Sequence, residues 1–221
     1  MRLSLVSLCL LSLVACGGDD DGNPMLVDAG PGSGGEDAPP AANCTAAATY
    51  GSVTPTLQEA YSYTEEGDTS PYAITSFADL NSDPSPDVLL IEYWAGIPPF
   101  GDTLSVPTSP IQLAEQSDYA TCGACVLIQT DYTQAGGTHD YLATGGTLQL
   151  TMLSPTKVAG TLTNATFQHV NIEGFTSTPD PDGCTSSIGS MSFTADVQPA
   201  PANLRGKSDQ RIKLRNLKLS R

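Results

Sequence analysis

Basic residues are scarce in this chain: nine Lys and Arg stand against 24 Asp and Glu, and seven of the nine lie between Arg205 and Arg221. The stretch from Cys44 to Ala200 holds one, Lys157, against seventeen acids. A surface that binds nucleic acid must neutralise phosphates with clustered Lys and Arg, so nucleic acid is not an expected partner of this stretch, whereas cations are. Histidine is nearly as rare, with only His139 and His169, and there is a single tryptophan, Trp94. No Gly-x-Ser-x-Gly, no His-Glu-x-x-His and no Gly-rich loop leading into Lys occurs, which removes the sequence signatures of hydrolase-elbow, zinc-protease and phosphate-loop chemistry. No apolar run reaches the ~20 residues of a membrane-spanning helix.

What the N-terminus does contain is a short apolar run. Arg2 is followed by Leu3 to Val14, where nothing is more polar than Ser and Cys; about a dozen such residues is the length of a signal-peptide core. Directly after it stands Leu13-Val14-Ala15-Cys16. These four residues resemble the lipobox of bacterial lipoproteins, which implies cleavage before Cys16, lipidation of that Cys and an acyl anchor in a membrane. Several chains hold a protein firmly where one holds it marginally, since each buried methylene contributes ~0.8 kcal/mol. The next residue is Gly17 rather than Asp, and by the rule of that family the destination is the outer membrane, facing the periplasm or the surface.

Four segments follow from composition. Residues 1–15 read as the signal peptide. Residues 16–43, rich in Gly, Pro, Ala and Asp with Asp19-Asp20-Asp21 near the start, cannot bury enough apolar surface to offset ordering entropy and read as a disordered acidic tether, with an rms reach of ~30 Å. Residues 44–200 show short apolar alternation cut by Gly, Pro, Asn and Asp, as antiparallel β structure does. Leu148, Leu150 and Met152 alternate with polar neighbours, as do Met191, Phe193, Ala195 and Val197. Asp87 to Tyr93 and Val126-Leu127-Ile128 are continuous and suit strands buried on both faces. Pro110 to Ser117 suits one or two helical turns. The expected fold is therefore all-β, a single antiparallel sandwich or barrel-like domain behind its tether. Residues 201–221 form a basic tail, read as a disordered appendage or as an electrostatic clip to anionic lipid.

With Cys9 in the signal and Cys16 lipidated, Cys44, Cys122, Cys125 and Cys184 remain. An even number in an exported chain points to two disulfides with three possible connectivities. The pairing expected here joins Cys44 and Cys184 each to one member of Cys122-Gly123-Ala124-Cys125. Two alternatives use the same residues: a Cys-x-x-Cys thiol–disulfide catalyst and a four-Cys zinc site.

Asp79, Asn81, Asp83 and Asp87 place oxygens at alternating positions of one loop, and alternate side chains can converge on a hard cation such as Ca²⁺. The loop resembles those of FG-GAP repeats, which implies calcium at these four residues, although Pro84 stands where that family has Gly. One copy excludes the multi-bladed propeller such repeats build. The same residues also read as a turn in which Asp and Asn satisfy local backbone groups. No other cofactor is expected.

Neither His lies in a nucleophile motif, and both read as surface or structural. Glu65-Glu66 is a carboxylate pair expected by chance in so acidic a body, and Trp94, beside Tyr93 and a Pro-rich loop, reads as a core plug. The body as a whole, through Pro86 to Glu92, Tyr119 to Val126 and Gly183-Cys184-Thr185, resembles the uncharacterised exported lipoproteins of large-genome Gram-negative bacteria, a likeness that implies no activity. The expected role is non-catalytic, structural or binding, with the membrane as one partner through the lipid and a protein or glycan left open as another.

Overall fold

The computed structural model describes residues 44–133 and 137–201. The signal segment, the lipidation site Cys16, the linker to residue 43 and the tail beyond Pro201 lie outside the described residues. Those described belong to one compact unit.

Ten strands account for most of it: β1 (Ser52–Val53), β2 (Gln58–Tyr63), β3 (Ala73–Asp79), β4 (Val88–Trp94), β5 (Ile111–Gln112), β6 (Ala124–Gln129), β7 (Asp140–Leu153), β8 (Lys157–Glu173), β9 (Thr176–Pro179) and β10 (Thr185–Pro199). The helical content among the described residues is one 3-10 turn, Leu113–Gln116, inside the segment expected to make one or two turns. The fold is all-β, as expected, and barrel-like: β2, β3, β4, β6, β7, β8 and β10 pair in succession, and β10 returns to β2. Six of the contacts in this ring are antiparallel, and β10–β2 is parallel, through Val197↔Ala60 to Pro199↔Ser62. That departure from a purely antiparallel sheet is a matter of parity. Directions that alternate around an odd number of strands must meet one neighbour running the same way.

The strands that read as continuous apolar runs are the doubly covered ones. Every residue of β4 is buried, as is nearly every residue of β6. Leu89, Ile91 and Tyr93 join the main core with Val126, Ile128, Leu162 and Phe167. Leu90, Trp94, Cys125 and Leu127 point the other way, into a second core with Ile97, Tyr119 and Cys122. The connection between β4 and β6 thus folds over the outer face of its own strands. Full burial of a side chain such as Leu90 or Leu127 contributes about 1.5–3 kcal/mol, which explains why those positions are apolar although they face away from the ring. Gln116 pins this cover down: its Oε1 accepts from the backbone N–H of Gly123 at 2.8 Å and of Ala124 at 3.1 Å.

The alternation in β7 holds only in part. Leu148 and Leu150 are buried, but Met152 is 43% exposed and Leu153 takes the inward place. The cause is a register shift between Leu150 and Met152 against β8; an extra residue on one strand reverses the facing of all that follow.

Candidate functional site

One end of the ring gathers the chain's only two histidines with two carboxylates. β8 ends in His169-Val170-Asn171-Ile172-Glu173, turns at Gly174 and returns as β9, with Val170 opposite Pro179. The same register carries His169 to Asp180: the Asp180 N–H donates to the His169 carbonyl, and the His169 N–H donates to the Cys184 carbonyl, each at 2.9 Å. Between these two bonds runs Asp180-Pro181-Asp182-Gly183. Its shape comes from its own oxygens, since Asp182 N–H donates to Asp180 Oδ1 at 2.9 Å and Cys184 N–H to Asp182 Oδ1 at 2.8 Å. Gly183 supplies the left-handed residue, φ +66°, that such a turn asks of a glycine. The Cys44–Cys184 disulfide then ties the turn to the start of the domain.

Both carboxylates consequently face the imidazole. His169 Nδ1 lies 2.5 Å from Asp182 Oδ2 and 4.0 Å from Asp180 Oδ1. The ring is 7% exposed and stacks on Tyr141, its partner across the β7–β8 ladder, with centroids 4.9 Å apart and planes at 19°. His139, two residues before Tyr141, sets its ring edge-on to His169 at 5.2 Å. Asn171 Nδ2 donates to Asp180 Oδ2 at 2.6 Å. The Asp180 carboxyl is held below its ordinary range, first by the Asp182 N–H, then by the Asn171 amide, with the two imidazoles adding to it. Nitrogen and oxygen donors that converge in this way can share a proton or hold a divalent ion. Among the described residues, His169, Asp180 and Asp182 form the one group of three such side chains whose ligating atoms all lie within 4.8 Å of one another.

Sequence reasoning took the two histidines singly and missed this corner. The signal was present in Asn171-Ile172-Glu173-Gly174-Phe175-Thr176, a hairpin turn whose register sets His169 across from Asp180.

The calcium loop is built otherwise. Asp79 Oδ1 accepts from the Leu57 N–H at 2.6 Å, and its Oδ2 accepts from the Thr56 hydroxyl. Asp87 accepts from the Tyr50 hydroxyl at 2.6 Å, from Asn81 Nδ2 at 3.1 Å and from the Asp131 N–H at 3.1 Å, while Asn81 Oδ1 takes the Asp87 N–H. Asp83 is exposed. Asp79, Asp83 and Asp87 thus do not gather into one group of ligating atoms; Asp79 and Asp87 hold distant stretches of chain, where the turn reading had local backbone groups, and Asn81 alone bonds within the loop.

The disulfide pairing is also corrected. Cys44 bonds Cys184, and Cys122 bonds Cys125. Residues 44–50 run beside the start of β10, where Ser186 Oγ donates to the Ala47 carbonyl at 2.6 Å and the Tyr50 N–H to the Ser187 carbonyl at 2.9 Å, so Cys44 arrives beside Cys184. Cys122 and Cys125 are both fully buried in the outer core. Separate pairs replace the four-Cys zinc arrangement. Exchange at Cys122–Cys125 would require a thiolate to reach a sulfur, and Cys125 leads into a strand rather than a helix N-terminus. Trp94 is buried, as expected, and its Nε1 donates to Glu92 Oε2 at 3.3 Å, which also accepts from the Tyr119 hydroxyl at 2.9 Å. Glu92 is a buried carboxylate that sequence reasoning passed over. Glu65 and Glu66 are exposed.

Neither the family models nor the curated proteins nor the solved structures compared with the chain match it.

Proposed function

We propose that this protein is a lipoprotein of the bacterial cell envelope: a non-catalytic binding domain, closed as a seven-strand ring, carried on an acidic linker from an acyl anchor at Cys16 in the outer membrane. The observation that carries the reading is the cysteine pairing. All four cysteines beyond Cys16 pair with one another, as structural cysteines do in an oxidising, exported compartment, and this leaves Cys16 for the lipid. The apolar run Leu3 to Val14 and the Leu13-Val14-Ala15-Cys16 sequence support the same address. The binding role rests on the His169 corner, where side chains from two elements are held in place by a turn, a ladder and a disulfide.

The test is detergent phase partitioning of the full-length protein and of Cys16→Ser, expressed in a Gram-negative host, with the membrane fraction separated by density. The wild type is expected in the detergent phase and the outer-membrane band, and C16S, which keeps its apolar N-terminal run uncleaved, outside that band. Wild-type protein in the aqueous phase, or C16S that still reaches the outer-membrane band, would overturn the anchor.

A further inference from the structure

We propose that the corner formed by His169, Asp180 and Asp182, against which His139 sets its ring, binds a divalent transition-metal ion of the zinc type. The inference rests on the binding role given above and names its ligand class.

The argument starts from spacing. A tetrahedral ion with bonds of about 2.1 Å to nitrogen and oxygen sets its ligand atoms ~3.4 Å apart. The two separations from His169 Nδ1, 2.5 Å to Asp182 Oδ2 and 4.0 Å to Asp180 Oδ1, bracket that value. An ion seated between the three atoms widens one gap and narrows the other by less than about 1 Å, within reach of small side-chain rotations.

Preorganisation comes next. The outer atoms of the three groups are tethered: Asp182 Oδ1 by the Cys184 N–H, Asp180 Oδ2 by the Asn171 amide, and the His169 ring by its stack on Tyr141. Metal sites depend on such supporting bonds to aim their ligands. Each carboxylate oxygen has two lone pairs, so the bonds already present leave room for a metal. The Cys44–Cys184 disulfide fixes the turn that carries both acids, which lowers the ordering cost of binding.

Donor type decides the ion. One imidazole and two carboxylates, with a second imidazole beside them, make a mixed nitrogen and oxygen set, which suits zinc, nickel or copper; calcium and magnesium ask for six or more oxygens. The bare alternative is a His–Asp pair sharing one proton, with no ion involved.

Calorimetric titration of the full-length protein in detergent, freed of metal with chelator, separates the two. Zinc chloride is expected to bind once per chain and to raise the melting temperature, with calcium and magnesium chloride producing neither effect at the same concentrations. His169→Phe keeps an aromatic ring on Tyr141 while removing the nitrogen donor, and Asp182→Asn keeps the oxygen that caps Cys184. Each is expected to weaken zinc at least about tenfold, and His139→Ala to weaken it by a smaller factor, while all three melt cooperatively in chelator. The acidic tether is unchanged in every variant, so nonspecific cation binding there would persist in all of them. No zinc heat in the wild type, or equal affinity in H169F and D182N, would overturn the site. Neither result bears on the lipid anchor, which phase partitioning reads separately.

Discussion

Asp87 shows how much a single carboxylate can organise. It joins three stretches of chain by accepting from Tyr50, Asn81 and Asp131, and the Tyr50 hydroxyl is pushed well above its ordinary range, first by burial and then by the Asp87 charge. A hydrogen bond to a charged group is worth about 1.5–3 kcal/mol; with Tyr50 only half-buried, Tyr50→Phe is expected to cost about 1–2 kcal/mol at pH 8, read by urea unfolding. The pH dependence has a definite sign. A hydroxyl whose folded pKa is raised contributes its full share of stability below the unfolded value near 10 and loses it as pH rises through the folded value. The gap between wild type and Y50F should therefore be constant up to about pH 10 and narrow above it; a gap that widened at alkaline pH would mean the Tyr50–Asp87 bond is not what the substitution removes. The oxygen spacing of Asp79, Asn81, Asp83 and Asp87 was legible in the sequence, but their occupants were not. Tyr50 is 37 residues from Asp87 and Asp131 is 44, distances that only the tertiary fold closes.

At the scale of elements, continuous apolar runs translated directly into β4 and β6, because burial on both faces makes nearly every position apolar, Glu92 being the exception in β4. Alternating strands were legible only until their ladders shifted. β7 slips against β8 at three places, and the last of them sends Met152 outward, which no period-two pattern anticipates. The first two shifts flank Gly145, one at Thr144 and one at Gly146. Gly146 has φ +94°, and a Cβ there would sit 2.5 Å from the Asn164 carbonyl oxygen and 2.6 Å from Ala165 Cα, both backbone atoms. The neighbouring strand cannot move aside without opening the longest hairpin in the sheet. Gly146→Ala should cost about 3 kcal/mol or more, combining left-handed strain with overpacking. Gly174→Ala is the control: its φ is +63° but nothing lies within 4 Å of its Cβ position, so strain alone should cost about 1–2 kcal/mol. Denaturation midpoints of the two variants measure the difference, and equal losses would remove the close approach as the reason for Gly146. The candidate corner belongs to this scale too. His139 and His169 were visible as residues, but their meeting depends on the β7–β8 ladder and the β8–β9 turn acting together.

For the molecule as a whole, closure is a long-range event. The ring shuts only when the last strand reaches the first, and the parallel β10–β2 seam that does so spans three residue pairs, with Thr194 N–H of β10 instead capped by Gln58 Oε1 at 2.7 Å. The Cys44–Cys184 bond ties the start of the domain to the turn that leads into β10, across 140 residues, whereas Cys122–Cys125 spans three. In the chain-entropy account a link across so long a loop removes about 5 kcal/mol of freedom from the unfolded state, and one across three residues about 2 kcal/mol. Cys44→Ala/Cys184→Ala should therefore lower the melting temperature by about 10–20 °C, at roughly 2–4 °C per kcal/mol for a domain of this size. Cys122→Ala/Cys125→Ala should lower it less, by about 6–12 °C, even with a further loss of about 1 kcal/mol for the atoms removed from the outer core. Calorimetry of the two double variants in chelator reads the order directly. The reverse order would mean that the short bond holds the β4–β6 connection over the outer core, and that packing there, rather than closure of the ring, limits the stability of the domain.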